Sequence, residues 1–145
     1  MKIDEIKAGV AAVILDNENR VLLQKRADVG LWGLPSGHVE KGETVRDAVI
    51  REIKEETNLD IEVIKLIGVY SEPNSQVFTY PNRKRIHFIT NCFLGNVVGG
   101  ELTCHSSESL EVKFFKCDEL PNDLLTMHPQ WLEDALSSSE RAFIR

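Results

Sequence analysis

Glu52, Glu55 and Glu56 stand at positions i, i+3 and i+4, a spacing that in a helix brings three carboxylates onto one face. Like charges placed this way repel by roughly a few tenths of a kcal/mol per pair when solvated, and by more when partly buried, so the triplet has no structural benefit of its own. A divalent cation removes the penalty. Clustered hard oxygen ligands suit magnesium or manganese rather than zinc. The alternative is a solvated acidic helix face, which needs no ligand.

A helix must carry these residues. Thr44 with Asp47 three positions on resembles a capping box, and Val45 to Thr57 follows with Val49, Ile50 and Ile53 on one face. Asn58 is suited to end it, since asparagine tolerates the left-handed backbone that closes many helices. Upstream, the apolar run Ala8 to Leu15, the polar turn Asp16 to Asn19 and the run Arg20 to Gln24 read as a hairpin near the centre of a sheet. Gly30, Gly33, Pro35, Ser36 and Gly37 then break the pattern into a loop or short strand. Ile61 to Tyr70, Gln76 to Tyr80, Arg85 to Leu94 and Leu110 to Phe115 are β-like. Pro129 to Leu136 reads as a short helix, and Ser137-Ser138-Ser139 as a frayed end. The order implies an α/β chain of α+β type, a mixed central sheet flanked by helices, in one domain over residues 1–145.

The segment Gly37 to Leu59 resembles the Nudix box, which is G, five residues, E, seven residues, then R-E-U-x-E-E-x-G-U, with U a bulky aliphatic residue. Gly37, Glu43, Arg51, Glu52, Ile53, Glu55, Glu56 and Leu59 fall in register, and Asn58 replaces a glycine. Leu31 to Gly37, Leu22 to Arg26 and Glu111 to Pro121 resemble neighbouring family segments. The resemblance implies an α/β/α sandwich with a catalytic loop-helix-loop. It implies metal ligation by Glu52, Glu55, Glu56 and the Gly37 carbonyl, with Arg51 and Glu43 bracing the loop against the helix. Water would attack a phosphorus of a diphosphate, its proton taken by Glu55 in the box or by Glu108 on a later loop; Glu101 and Glu111 are weaker alternatives. Magnesium, or manganese in its place, is the implied cofactor.

Arg26, Trp32 and Arg85 are candidates for substrate contact. Each has a plainer reading as well, with Arg83-Lys84-Arg85 a solvated hairpin tip and the aromatic residues as packing. His38 and His105 could meet phosphate or water, although a lone loop histidine is more often only exposed. Gly37 to Thr44 nearly spells a P-loop, but Glu43 stands where lysine is needed, and Ser36 beside His38 lacks a nucleophile elbow.

The net charge of -6 opposes stable binding to nucleic acid or to an anionic membrane. No run approaches the roughly 20 apolar residues that span a bilayer. Cys92, Cys104 and Cys117 match no redox or zinc spacing. The expected setting is cytoplasmic and the expected partner a small nucleotide, with homodimers common among relatives. Pro73 lies about where the ADP-ribose branch carries a proline, favouring a nucleoside diphosphate linked to a sugar. The other readings are a sanitising triphosphatase of the 8-oxo-dGTP type and a non-catalytic nucleotide sensor.

Overall fold

The computed structural model describes residues 2–104 and 106–145. In chain order the elements are β1 (Glu5–Ile14), β2 (Arg20–Arg26), β3 (Trp32–Gly33), β4 (Ser36–His38), α1 (Val45–Thr57), β5 (Leu59–Tyr70), α2 (Pro73–Gln76), β6 (Val77–Thr79), β7 (Arg85–Gly100), β8 (Ser109–Lys116), α3 (Trp131–Leu136) and β9 (Phe143–Ile144). One sheet has the order β4-β1-β7-β5-β9, with β6 also on β7; a second has the order β3-β2-β8. The first is mixed, since β1 and β7 run parallel while β5 and β7 run antiparallel. His105, a candidate for phosphate contact, lies outside the described residues.

The runs Val10 to Ile14 of β1 and Val21 to Leu23 of β2 are apolar because they are covered on both faces. Val10, Ala12 and Ile14 pack with Leu22, Ala48, Val49 and Ile53 under α1. Ala11 and Val13 point the other way, against Val21, Leu23, Trp32 and Ala135. This overturns the expected hairpin. The turn forms, with Asp16 Oδ1 accepting from the Glu18 and Arg20 amides at 2.9 and 2.8 Å and Asn19 at φ 57°. Beyond it β1 and β2 part into different sheets, joined by a single bridge between Leu15 and Val21. Both edges of β1 are taken by β4 and β7, which leaves no ladder for β2.

The helix α1 forms as its sequence requires. Thr44 Oγ1 accepts from the Asp47 amide at 3.0 Å. Asn58 takes the left-handed conformation at φ 62°, ψ 14°, its amide returning to the Lys54 carbonyl. Two β-like stretches change extent: Pro73–Gln76 makes one helical turn ahead of β6, and β7 runs on to Gly100.

The serine run after α3 is tied down rather than frayed. Lys65 Nζ donates to the carbonyls of Ser137 and Ser139 at 2.9 and 3.2 Å, and β9 pairs with β5. Arg145 Nη2 and Nε donate to the buried Asp134 carboxylate at 2.8 and 3.1 Å, and Tyr70 Oη donates to it at 2.7 Å. No helix among the described residues is long and apolar enough to cross a membrane.

The Arg145 guanidinium holds the Asp134 carboxyl below its ordinary value of 3.8. A carboxyl depressed by folding contributes stability that is fully present above its unfolded pKa and is lost as pH falls through the folded value. Asp134→Asn is therefore expected to cost on the order of 1–3 kcal/mol at pH 7. In paired urea titrations at pH 7 and pH 3 the gap between variant and wild type should narrow at the lower pH.

Candidate active site

Arg51 organises the loop between β4 and α1. Its Nε and Nη2 bind both oxygens of Glu43, at 2.6 and 2.9 Å, a fork-to-carboxylate pairing that fixes orientation as well as distance. Nη1 reaches Glu52 at 2.9 Å and Glu55 at 3.2 Å, and Nη2 also donates to the His38 carbonyl at 3.1 Å. The guanidinium holds Glu43 down to about 2, helped by the Glu40 amide. Hydrogen bonding to Glu43 raises Arg51 above its already high value.

The three helix carboxylates meet different surroundings. Glu56 is 1% exposed and Glu52 is also buried, while the Glu55 side chain is 57% exposed and rests on Arg51. Burial raises the Glu56 carboxyl; the Ser109 hydroxyl opposes this, and the Glu108 and Glu52 carboxylates add to it. Burial also raises Glu52 against the pull of Arg51. Gly37 faces the Glu52 carboxyl so closely that a Cβ there would overlap it.

A cleft of about 800 Å³ opens over this corner. Gly37, His38, Glu52, Glu108 and Gln24 line its acidic end. Arg26, Phe78 and Tyr80 form a wall, with the Arg26 guanidinium 4.4 Å from the Phe78 ring centroid and bonded to Asp28 at 2.7 and 3.0 Å. Pro73 opens α2 and so sets Ser75 and Gln76 on the cavity wall. Tyr70, His128 and Trp131 line the cavity as well.

Of the residues singled out from sequence, Gly37, Glu52, Glu108 and Arg26 line the cavity, and Glu43, Arg51 and Glu55 form the ion cluster beside it. Two expected substrate contacts fall elsewhere. Trp32 is 6% exposed, packed edge-on against Phe115 at 4.9 Å, because it belongs to the second core. Its backbone holds the segment after β8 instead, its amide donating to the Asp123 carbonyl at 2.9 Å and its carbonyl accepting from the Leu125 amide at 2.7 Å. Arg85 alternates with the cavity-lining Lys84 and Ile86, so the strand period turns it to the other face. Lys84, paired with Glu5, takes the place expected of Arg85.

Sequence reasoning missed Gln24 and Ser109. Gln24 Nε2 donates to Glu56 at 2.9 Å and Ser109 Oγ donates to it at 2.6 Å. A glutamine directly after the apolar Val21-Leu22-Leu23 was the available signal, since a polar side chain continuing a buried strand needs a partner.

Among the described residues no three acidic, histidine or cysteine side chains already converge as a closed cage. The donors suit an open site: hard oxygens only, like-charged neighbours that raise one another's proton affinity, and a glycine cradle beside Glu52. Such a corner, beneath a large cleft on a mixed two-sheet sandwich, presents a set of donors suited to a divalent cation.

The NUDIX domain model matches residues 5–137, and the chain belongs to the Nudix family, whose hydrolases generally use a divalent metal. It is 42% identical over 111 residues to an ADP-ribose pyrophosphatase of Methanocaldococcus jannaschii, a match covering 74% of this chain and 61% of that one. It is 32% identical over 131 residues to a MutT-like protein of Streptomyces ambofaciens, covering 90% and 77%. Among solved structures, an ADP-ribose pyrophosphatase from Streptococcus suis superimposes with a TM-score of 0.72 at 30% identity, covering 96% of this chain and 97% of that one.

Gly37→Ala is expected to keep the fold with a lowered Tm, because the overlapping group is the end of the Glu52 side chain, which is buried, bonded to Arg51 and must give way. Displacing that carboxylate should weaken Mn²⁺ binding by about tenfold or more. Calorimetric titration with Mn²⁺, alongside a thermal melt, checks both halves.

Proposed function

We propose that this chain hydrolyses the diphosphate linkage of a nucleoside diphosphate joined to a second moiety, with ADP-ribose or a nucleotide sugar as the preferred class. The observation that carries the reading is the single cleft of about 800 Å³, which takes in both the acidic corner and the aromatic wall around Phe78. That volume lies within the range of sites that enclose two-part ligands. The names of the Methanocaldococcus and Streptococcus relatives support the same substrate class.

In this reading Glu52, Glu55, Glu56 and the Gly37 carbonyl hold magnesium, for which manganese can substitute. The bound cation supplies charge neutralisation on the diphosphate and a more acidic water. Arg51 and Glu43 hold the carboxylates and the loop in register and touch no substrate. Glu108 lines the cleft, whereas Glu55 is engaged with Arg51; Glu108 is thus the better placed group to take the proton from the attacking water. Phe78, backed by Arg26, offers a flat surface for a nucleobase.

The test is product release with magnesium from ADP-ribose, a nucleotide sugar, a dinucleoside polyphosphate, dGTP and its oxidised form. Glu108→Gln is expected to lower kcat by about 10²–10⁴ with cation binding retained, and Glu55→Gln to weaken the cation site itself. Preferential turnover of the oxidised dGTP would move the assignment to a sanitising triphosphatase. Tight nucleotide binding without turnover of any compound would make the chain a sensor.

A further inference from the structure

The two oxygens of Glu56 are not equivalent. Oε2 accepts from Gln24 Nε2 on β2 at 2.9 Å and from Ser109 Oγ on β8 at 2.6 Å. Among the described residues no N–H or hydroxyl donor reaches Oε1, and the Glu108 carboxyl lies within hydrogen-bonding reach of the Glu56 carboxyl. Both donors come from neighbouring strands of the second sheet, with Gln24 paired opposite Val112 and Arg26 opposite Ser109. A carboxylate on α1 is thus tied to the other sheet through one of its oxygens.

Gln24 is placed at a cost. Only its amide nitrogen can face a carboxylate, and the orientation that follows leaves Oε1 buried with no donor among the described residues. A buried acceptor without a donor is unfavourable, and an apolar side chain of the same length would avoid it. Packing alone therefore does not account for a glutamine at the end of Val21-Leu22-Leu23.

Resting on the cation site proposed above, we infer that Gln24 and Ser109 are positioning residues for the cation. Together they occupy Glu56 Oε2, fix the rotamer of this side chain, and reserve Oε1 for the metal. Partners of this kind, hydrogen-bonded to a ligand rather than to the metal, set ligand orientation and hence affinity.

The experiment is titration of the nucleotide-free full chain with Mn²⁺, followed by calorimetry, on wild type, Gln24→Met, Ser109→Ala and Ser109→Thr, with a metal-free thermal melt of each. Gln24→Met and Ser109→Ala are expected to weaken Mn²⁺ binding by about 10–100-fold. Ser109→Thr, which keeps the hydroxyl, should stay close to wild type. The metal-free Tm of Gln24→Met reports the fold alone, where loss of the donor to Glu56 and removal of the undonated carbonyl act in opposite directions. Ser109→Ala deletes a single oxygen and keeps the result decisive if methionine disturbs β2. Variants that bind Mn²⁺ as wild type does, with lowered metal-free Tm, would make these two residues purely structural and overturn the inference alone. A wild-type chain that binds no Mn²⁺ would overturn it together with the function on which it rests.

Discussion

The Arg51 guanidinium stands among Glu43, Glu52, Glu55 and the His38 carbonyl, with contacts between 2.6 and 3.2 Å. No neutral or single-donor side chain could do the same, since this planar fork bonds Glu43, Glu52, Glu55 and the His38 carbonyl at once. Three carboxylates on one guanidinium leave negative charge in excess, and Glu56 and Glu108 add to it. The cluster is therefore stable in outline and uncompensated in charge. In the proposed function that imbalance is what a divalent cation would neutralise.

The two-sheet arrangement decides what stands behind that charge. Because β1 and β2 each feed alternate side chains to two cores, the first sheet presses against α1 while the second reaches the underside of the same helix. Glu56 lies where these layers meet. Gln24 and Ser109 reach it because β2 and β8 are adjacent strands, so a change in how the second sheet packs would be felt at the carboxylate before it was felt at the rim.

Much of the site was legible because its signals are local. The helix from Val45 to Thr57 is specified by its apolar spacing and by Thr44 and Asn58 at its ends, and the fixed spacing of Gly37, Glu43 and Arg51 places the loop on the helix. What escaped depended on partners distant in sequence. The Asp16–Asn19 turn is genuine, but nothing local reveals that β7, some eighty residues on, claims the edge β2 would have used. The serine run after α3 looked free because Lys65 and Asp134, which hold that tail, have no sequence signature for the task. Trp32 has the composition of a stacking residue, and only the second core shows that its indole is already enclosed. Arg85 and Lys84 are indistinguishable until the register of β7 fixes which one meets the cleft.

The cleft itself adds a constraint on how an anionic substrate is held. Its lysine and arginine lining consists of Lys7, Arg26 and Lys84. Each is already paired: Lys7 and Lys84 with Glu5, and Arg26 with Asp28. In a chain of net charge -6 these matched pairs offer a diphosphate little net attraction. In the proposed reaction the cation at the acidic corner must then supply recognition of the phosphates as well as the chemistry. The walls are left to distinguish what the diphosphate joins, through Phe78 and Arg26 and through Tyr70, His128 and Trp131. Substrate selectivity on this scaffold is thereby separated from phosphate binding, and side chains of the walls can change without disturbing the charge balance around Arg51.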